Sequence, residues 1–500
     1  MQNILAGKPG FKECSGANAL LDRLSGTCLP VLLGLVAAFA GSAYLGIYWD
    51  NDILYIISLG RSIISDGIPW TDPLTCNEGL DCIAQQWLFC VATAALYDAG
   101  GKAAVCAAIG MLWAACAIVV WRCMLAFVPE RPRACAIGCG LALFGMCMFI
   151  KTNPRMLDVA CLMLSAAAME KRLRGGGRGW LACPAACSAL MANLHCTMWV
   201  LAAAPAFLAL FDGRARGKRR GIAAALAAAC AASALSPYGI YGSLYIFASL
   251  GGRYPRIGEL QPITLSPSSA ILAAVPLLIA LYIYLRAPRL RTGGDVRLLG
   301  LLMAGVSVLA MMQIRNCLLL LPVAATAFAW SSDAICRAKP ALRERMRRYL
   351  MLAAAAAAAI LILFWLLIPQ NPDTELMRSR SEAMAALKAA GLEEGSSVGN
   401  RFNSGGFQEL NGMRPWLDER AELMLPEING RADLVAESEK LADNGQWAMD
   451  EWVASHDFDS LWLESSATEA DEFERMSDAA EKHGYREVYS DENVTAWIKG

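Results

Sequence analysis

The sequence predicts a polytopic α-helical membrane protein with a small soluble α/β domain at its C-terminus. Composition is the first of three observations behind this. Of 500 residues, 56% are hydrophobic and 18% charged, where a soluble globular chain is about 25% charged. The mean hydropathy is +0.39. The second observation is that the apolar surplus is uneven. It fills long blocks up to residue 368, whereas 369–500 is rich in Glu, Asp and Ser and has the size a single core supports. The third is that all 18 cysteines precede residue 340, most of them inside apolar blocks, where Cys behaves as a small hydrophobe. The division is therefore a transmembrane part over 1–368, with a large first outer loop at 48–102, and an extracytoplasmic α/β domain over 369–500.

Several function classes are excluded or left without support. A net charge of -1 gives no basic footprint, so no nucleic-acid partner is expected. No CxxC lies near His in a zinc pattern, and neither GxGxxG nor a P-loop occurs. Cys76 and Cys82 flank the polar run Asn77–Asp81. In an oxidising compartment they could close a small disulfide, and two unpaired thiols are an equal alternative.

A membrane span needs roughly 20 apolar residues. The candidates are 29–47, 103–126, 134–150, 156–169, 179–193, 196–211, 221–236, 269–286, 298–312, 317–332 and 348–368, about eleven transmembrane helices. Ala38-Phe39-Ala40 has the look of a signal cleavage site. The apolar run continues to Ile47, which favours an uncleaved first span. Orientation follows the basic connectors. These are Glu130–Arg133, Lys171–Arg174 with Arg178, Arg214–Arg220, Arg286–Arg297 and Lys339–Arg348. Placing all five in the cytoplasm puts the N-terminus inside and the C-terminal domain outside. It also makes 84–99 a helix lying on or dipping into the outer face.

The outer turns then share a polar character. The first loop holds Trp49-Asp50-Asn51-Asp52, Arg61, Asp72-Pro73 and Gln85-Gln86-Trp87. Later turns hold Lys151 to Arg155 with Asp158, then Asn193-Leu194-His195, Pro237-Tyr238-Gly239, Glu259 and Arg315-Asn316. Burying a charge at the bilayer centre costs about 2.5–3.5 kcal/mol, so such groups gather at interfaces or line cavities. Both signs recurring at one level predict a polar cavity opening outward. Asp50 and Asp52 either mark the end of the first span, or act as general base or hold a divalent cation. Lys151 and Arg155 either snorkel or receive a phosphate. Arg315, deep between apolar runs, reads as functional. His195 reads as a structural residue or a substrate contact. Asp418-Glu419-Arg420 reads as a local ion pair.

The C-terminal part alternates strand and helix. Helices are predicted at 377–390, 432–443 and 467–483. Strands are predicted from Ser397 and over Phe458–Leu463, with a hairpin over Glu487–Ile498 and a close turn at Asn403-Ser404-Gly405-Gly406.

In their order along nearly the whole chain, these landmarks resemble a family of bacterial polytopic membrane proteins in the GT-C glycosyltransferase superfamily. The resemblance is carried by Trp49 to Asp52, Gly60-Arg61 to Asp72-Pro73, Gln86-Trp87-Leu88, Asn153-Pro154-Arg155, Asn193-Leu194-His195, Pro237-Tyr238-Gly239, Glu259-Leu260, Arg315-Asn316, Asn403 with Gly405-Gly406, and Asp418 with Arg420. Asn-Pro-Arg departs from the family, where Arg-Pro is commoner. The resemblance implies a GT-C-like inverting hexosyl- or pentosyltransferase of the bacterial cytoplasmic membrane. It implies a polyprenyl-phosphate-linked sugar as donor and a glycan, lipid or protein of the cell envelope as acceptor. Asp50 and Asp52 would be catalytic, with or without a divalent cation. Arg61, Lys151, Arg155, His195, Glu259 and Arg315 would bind substrate or phosphate. A transporter or flippase for a lipid-linked or anionic solute, or an envelope-assembly protein, would use the same outward cavity without chemistry.

Overall fold

The computed structural model describes residues 51–129, 132–146, 153–249, 260–262, 297–338, 372–443, 445–465 and 470–500. The candidate spans 29–47, 269–286 and 348–368 lie outside the described residues, as do Asp50, Lys151 and Glu259.

Helix α1 spans Asn51–Asp66 and buries Ile53, Leu54, Ile56, Ile57 and Leu59. It stops at Gly67, whose φ of 90° only glycine adopts without cost. Helix α2 is written Trp87–Phe127, but Gly100 and Gly101 break it, Gly101 at φ 63° and ψ -159°. The helix expected at 84–99 and the span expected at 103–126 are therefore two segments joined at this glycine pair. The first segment packs tightly on α1. A Cβ at Gly60 would sit 2.1 Å from the Cys90 carbonyl oxygen and 2.7 Å from the Ala94 Cβ.

The helical part continues with α3 Pro132–Met146, α4 Arg155–Leu173, α5 Cys183–Leu194, α6 Trp199–Ala209, α7 Arg219–Ala232, α8 Gly239–Ser249, α9 Arg297–Met312 and α10 Cys317–Ala338. Every candidate span among the described residues is at least partly helical. Among the described residues, two helices are long and apolar enough to cross a membrane, Trp87–Phe127 and Ile314–Ser331; Cys196–Ala209 and Arg297–Met312 are apolar but shorter. Helix α4 is buried along most of its length. Its 19 residues put its ends about 28 Å apart, near the thickness of a hydrocarbon core. Hydroxyls link neighbouring helices. Ser165 Oγ donates to the Ala202 carbonyl at 2.6 Å, and Ser188 Oγ donates to the Ala229 carbonyl at 2.7 Å. Small polar side chains of this kind suit close helix packing where water is scarce.

The two ends of α4 differ. At its C-terminal end, Arg214 binds both oxygens of Glu170 at 2.8 Å, and Arg174 Nε reaches the same carboxylate at 2.6 Å. This ties the predicted basic connectors to one another. At its N-terminal end, Pro154 opens the helix beside Asn153, and Asp158 sits in the first turn.

The C-terminal unit begins with α11, Pro372–Ala389, and continues with β1 Ser397–Gly399, α12 Gly405–Leu410, β2 Arg414–Pro415, α13 Pro426–Asn429, α14 Leu434–Asp443, α15 Gly445–His456, β3 Ser460–Glu464, α16 Ala470–Lys482, β4 Tyr485–Ser490 and β5 Val494–Lys499. The strands form one sheet in the order β2-β1-β3-β5-β4. β1 runs parallel to β2 and β3, while β5 is antiparallel to β3 and β4. The expected helix at 377–390, strand at 458–463 and terminal hairpin all have counterparts. Gly391 ends α11 at φ 109°. The short helices α12, α13 and α15 were not expected.

Gly60→Ala should lower the thermal midpoint of the detergent-purified protein, with overpacking costing about 1–3 kcal/mol. Gly305, on α9 with no atom within 4 Å of a Cβ, supplies the control. Gly305→Ala should leave the midpoint unchanged or raise it. Equal midpoints for Gly60→Ala and wild type would show that α1 and α2 do not pack as described.

Candidate active site

Asp52 lies in the first turn of α1. Its Oδ2 is 3.5 Å from Asn153 Nδ2, and the Asn153 Oδ1 accepts from the Arg155 backbone N–H at 3.4 Å. The structure thus brings two landmark turns together, one at the start of α1 and one at the start of α4. A turn further along α4, Asp158 pairs with His195 Nδ1 at 2.9 Å, both side chains buried. His195 is therefore held by a carboxylate. Trp87 Nε1 donates to Asn193 Oδ1 at 3.2 Å, drawing the turn at Asn193-Leu194-His195 onto α2. The Tyr238 hydroxyl donates to the Pro69 carbonyl at 2.8 Å and accepts from the Ala84 N–H at 3.0 Å.

Other predicted residues lie elsewhere. Arg61 pairs with Asp98 at 2.6 Å, with both side chains nearly half exposed, and stacks over Tyr97. Arg315 lies in a short 3-10 turn before α10, and its Nε donates to Gln313 Oε1 at 3.0 Å. The candidate disulfide is not formed. Cys76 and Cys82 are both free thiols. Each lines up instead with a different strip of backbone: the Cys76 N–H bonds the Pro415 carbonyl, and the Cys82 N–H bonds the Trp70 carbonyl. Burial pushes the Cys82 thiol up to about 12, against the pull of Arg420, so it is a poor nucleophile.

The C-terminal unit reaches the same region through the turn at Gly405-Gly406, and through Arg380 and Glu422, two side chains that the sequence does not single out. Gly406 lies in the first turn of α12, and a Cβ there would meet the Tyr55 backbone nitrogen at 2.8 Å and the Asn51 carbonyl oxygen at 3.1 Å. The missing side chain lets α12 lie directly on α1. The Gly406 N–H donates to Glu419 Oε2 at 3.0 Å. Burial, with the charges of Asp418 and Asp52, raises the Glu419 carboxyl well above its ordinary range. Arg380 on α11, only 2% exposed, grips Glu464 with Nε and Nη2 at 2.8 Å each. Its Nη1 donates to Asn51 Oδ1 at 2.8 Å. Gln85 Nε2 donates to Glu422, and Thr197 Oγ1 donates to Gln85 Oε1 at 3.2 Å.

Asp418 and Arg420 do form the local pair expected of them, Nε to Oδ2 at 2.7 Å. Arg420 has a second partner, Asp72 of the first outer loop, at 2.7 Å. Burial alone would raise the Asp72 carboxyl. The Arg420 charge and the hydrogen bonds from Thr75 outweigh it and hold the group low. Glu409 is packed beside this pair with both carboxyl oxygens sealed from solvent and lacking a donor. Burial and the neighbouring Asp418 push its carboxyl well above the usual carboxylate range. Once protonated, Glu409 can donate to Asp418, which two ionised carboxylates cannot do. Among the described residues, no three His, Cys, Asp or Glu side chains gather as a metal site; Asp50 lies outside them.

Two outcomes follow for this junction. Arg420→Met strands two buried carboxylates and should cost about 3–5 kcal/mol, read as faster proteolysis at the boundary between the first outer loop and the C-terminal unit. Wild-type cleavage rates would refute the junction. For Glu409, a raised folded pKa means that the folded state binds more protons. Stability is then fully present below the unfolded value of about 4.3 and is lost as pH rises through the folded value. Glu409→Gln should remove that decline in a series of melting curves from pH 4 to 8. Parallel curves for variant and wild type would refute the assignment.

No family model matches the sequence, and no curated protein is significantly similar to it. Solved structures do match. The apo oligosaccharyltransferase of Archaeoglobus fulgidus aligns with a TM-score of 0.63 at 10% identity, over 96% of this chain and 75% of that one. The oligosaccharyltransferase AglB of the same organism, in complex with an inhibitory peptide and a dolichol-phosphate, aligns at 0.57 and 11% identity, over 94% and 74%. The form tethered to an acceptor peptide containing the NVT sequon aligns at 0.54 and 12%, over 96% and 75%. At such identities the likeness speaks for the fold, and along nearly its whole length this chain has the fold of those oligosaccharyltransferases.

Proposed function

We propose that the protein is a membrane glycosyltransferase. It moves a sugar or glycan from a polyprenyl-phosphate carrier to an acceptor on the outer face of the bacterial cytoplasmic membrane. The observation that carries this reading is the end-to-end likeness to the oligosaccharyltransferase fold, in which Asp52 stands at the meeting point of the first outer loop, the Asn153 turn and the C-terminal unit. The archaeal enzyme has been captured with a dolichol-phosphate and with peptides. By analogy the donor here is a lipid-linked phosphate, and a peptide joins glycan and lipid among the acceptor classes.

The division of labour follows from the chemistry. A sugar on a phosphate already carries a good leaving group, so the protein must orient the acceptor and neutralise charge that grows on the phosphate. Asp52, with Asp50, orients or deprotonates the acceptor nucleophile, which attacks the sugar carbon from the face opposite the phosphate and inverts it. Arg155, Lys151 and Arg315 offer positive charge to the departing phosphate. The pair of Asp158 and His195 holds the third outer turn close by. The C-terminal unit, docked on α1, borders the acceptor side.

The test is a mass-spectrometric profile of carrier-linked sugars and envelope glycans. It compares a deletion strain with strains producing wild type or Asp52→Asn at equal protein level. A lipid-linked sugar should accumulate on deletion, a glycan or glycoprotein should lose a unit, and only wild type should restore both. Identical profiles, or full restoration by Asp52→Asn, would remove the catalytic reading and favour transport or assembly.

A further inference from the structure

The geometry points to Arg380 as a positioning residue that sets the acidic motif of the first outer loop through Asn51, so that the C-terminal unit holds the catalytic geometry as well as bordering it. The inference rests on the proposed role of Asp52.

Arg380 is built for rigidity. Its guanidinium is 2% exposed and held bidentately by Glu464. Glu464 is fixed in turn by the Trp462 Nε1–H at 3.0 Å and by its place at the end of β3. Nη2 donates to the Asn403 carbonyl at 3.0 Å. Asn403 itself is left-handed at φ 85°, a conformation asparagine tolerates better than most residues. This leaves Nη1, which projects out of the C-terminal unit and donates to Asn51 Oδ1 at 2.8 Å. Asn51 lies between Asp50 and Asp52 in the chain, 329 residues from Arg380. Fixing its side chain fixes the rotation of the first turn of α1, and with it the direction of the Asp52 side chain.

A second contact acts at the same turn. Gly406 lies against the Asn51 carbonyl and the Tyr55 nitrogen, which sets the height of α1 against α12, while Arg380 sets its rotation. The bond is also economical for a positioning role. The Glu464 salt bridge already satisfies the charge of Arg380, so the Asn51 bond is not needed to neutralise a buried cation. Its removal leaves that ion pair intact.

Asn51→Leu is therefore the informative variant, since it deletes the acceptor oxygen without stranding Glu464. Asn51→Asp keeps an acceptor oxygen for Arg380 and serves as the rescue. The full chain is assayed in vesicles with the carrier-linked sugar extracted from the deletion strain. Asn51→Leu should lower kcat by about 10- to 100-fold, as small misplacements of a reacting group do. Acceptor KM should change little and the melting temperature should stay near that of wild type. Asn51→Asp should recover most of the loss. Labelling of Asp52 by a water-soluble carbodiimide and glycine ethyl ester, read by peptide fragmentation, needs no substrate. The released side chain should label several-fold faster in Asn51→Leu than in wild type. Unchanged kcat together with unchanged labelling would overturn the positioning role while Asp52→Asn stays inactive. Activity in Asp52→Asn would instead overturn the catalytic reading on which the role rests.

Discussion

The junction between the helical part and the C-terminal unit depends on guanidinium groups that have almost no contact with water. Arg420 is 5% exposed and faces Asp418 of its own loop and Asp72 of the first outer loop. Removing such a group from water costs several kcal/mol, recovered only if both carboxylates stay in place. The first outer loop therefore cannot leave the C-terminal unit without exposing or stranding three charges. Arg414 adds two bonds from the C-terminal unit to the Thr75 carbonyl, at 2.8 and 3.1 Å. Asn77 Nδ2 returns one to the Trp416 carbonyl at 2.7 Å. With these contacts the loop between α1 and α2 is a structural part of the C-terminal unit, although more than 300 residues separate them in sequence.

That separation explains which parts of the structure could be read from the sequence. The apolar blocks were legible because hydrocarbon imposes length and composition on a helix, and those constraints are local. The separate segments at 84–99 and 103–126 were legible for a similar reason, and the structure places their join at Gly100 and Gly101. In the C-terminal unit, α11, β3 and the final hairpin carried enough periodicity to be seen. Helix α12 did not. Its six residues were read as a turn, because Gly405 and Gly406 signal close approach without saying what approaches. The partners of Arg380, and Asp72 as the second partner of Arg420, were invisible for the same reason. Nothing in the local sequence marks Arg380 as different from its neighbours Arg378 and Lys388, yet it alone of the three is buried. Arg61 shows the reverse. Its place among outer-loop landmarks suggested a role, and the structure gives it an exposed partner in Asp98.

A fold shared at 10% identity over nearly the whole chain fits this account. The bilayer fixes helix length and forces backbone groups to be satisfied within helices, and small residues such as Gly60 fix how closely helices approach. Many sequences meet those demands. Chemistry makes a narrower demand on the outer turns, where a few side chains must converge from segments far apart in the chain. Asp52, Asn153 and Glu419 come from three such segments.

The charge balance at that convergence sets the last constraint. Asp52, Asp418, Glu419 and Glu409 all lie close to α12 or to the start of α1, while Arg380 is largely committed to Glu464 and Arg420 to Asp418 and Asp72. The local surplus is acidic, and it adds to burial, the larger cause, in raising the carboxyls of Glu409 and Glu419. An acidic surplus repels a phosphate. It also favours a group that can donate a hydrogen bond or a proton, such as an acceptor hydroxyl or amide. Under the transferase reading, the acceptor therefore enters on the side of α12 and Asp52. On that reading the phosphate is left to cationic side chains, for which Arg155 and Arg315 are the candidates. Attack from one side and departure toward the other is the geometry that inversion at the sugar carbon requires.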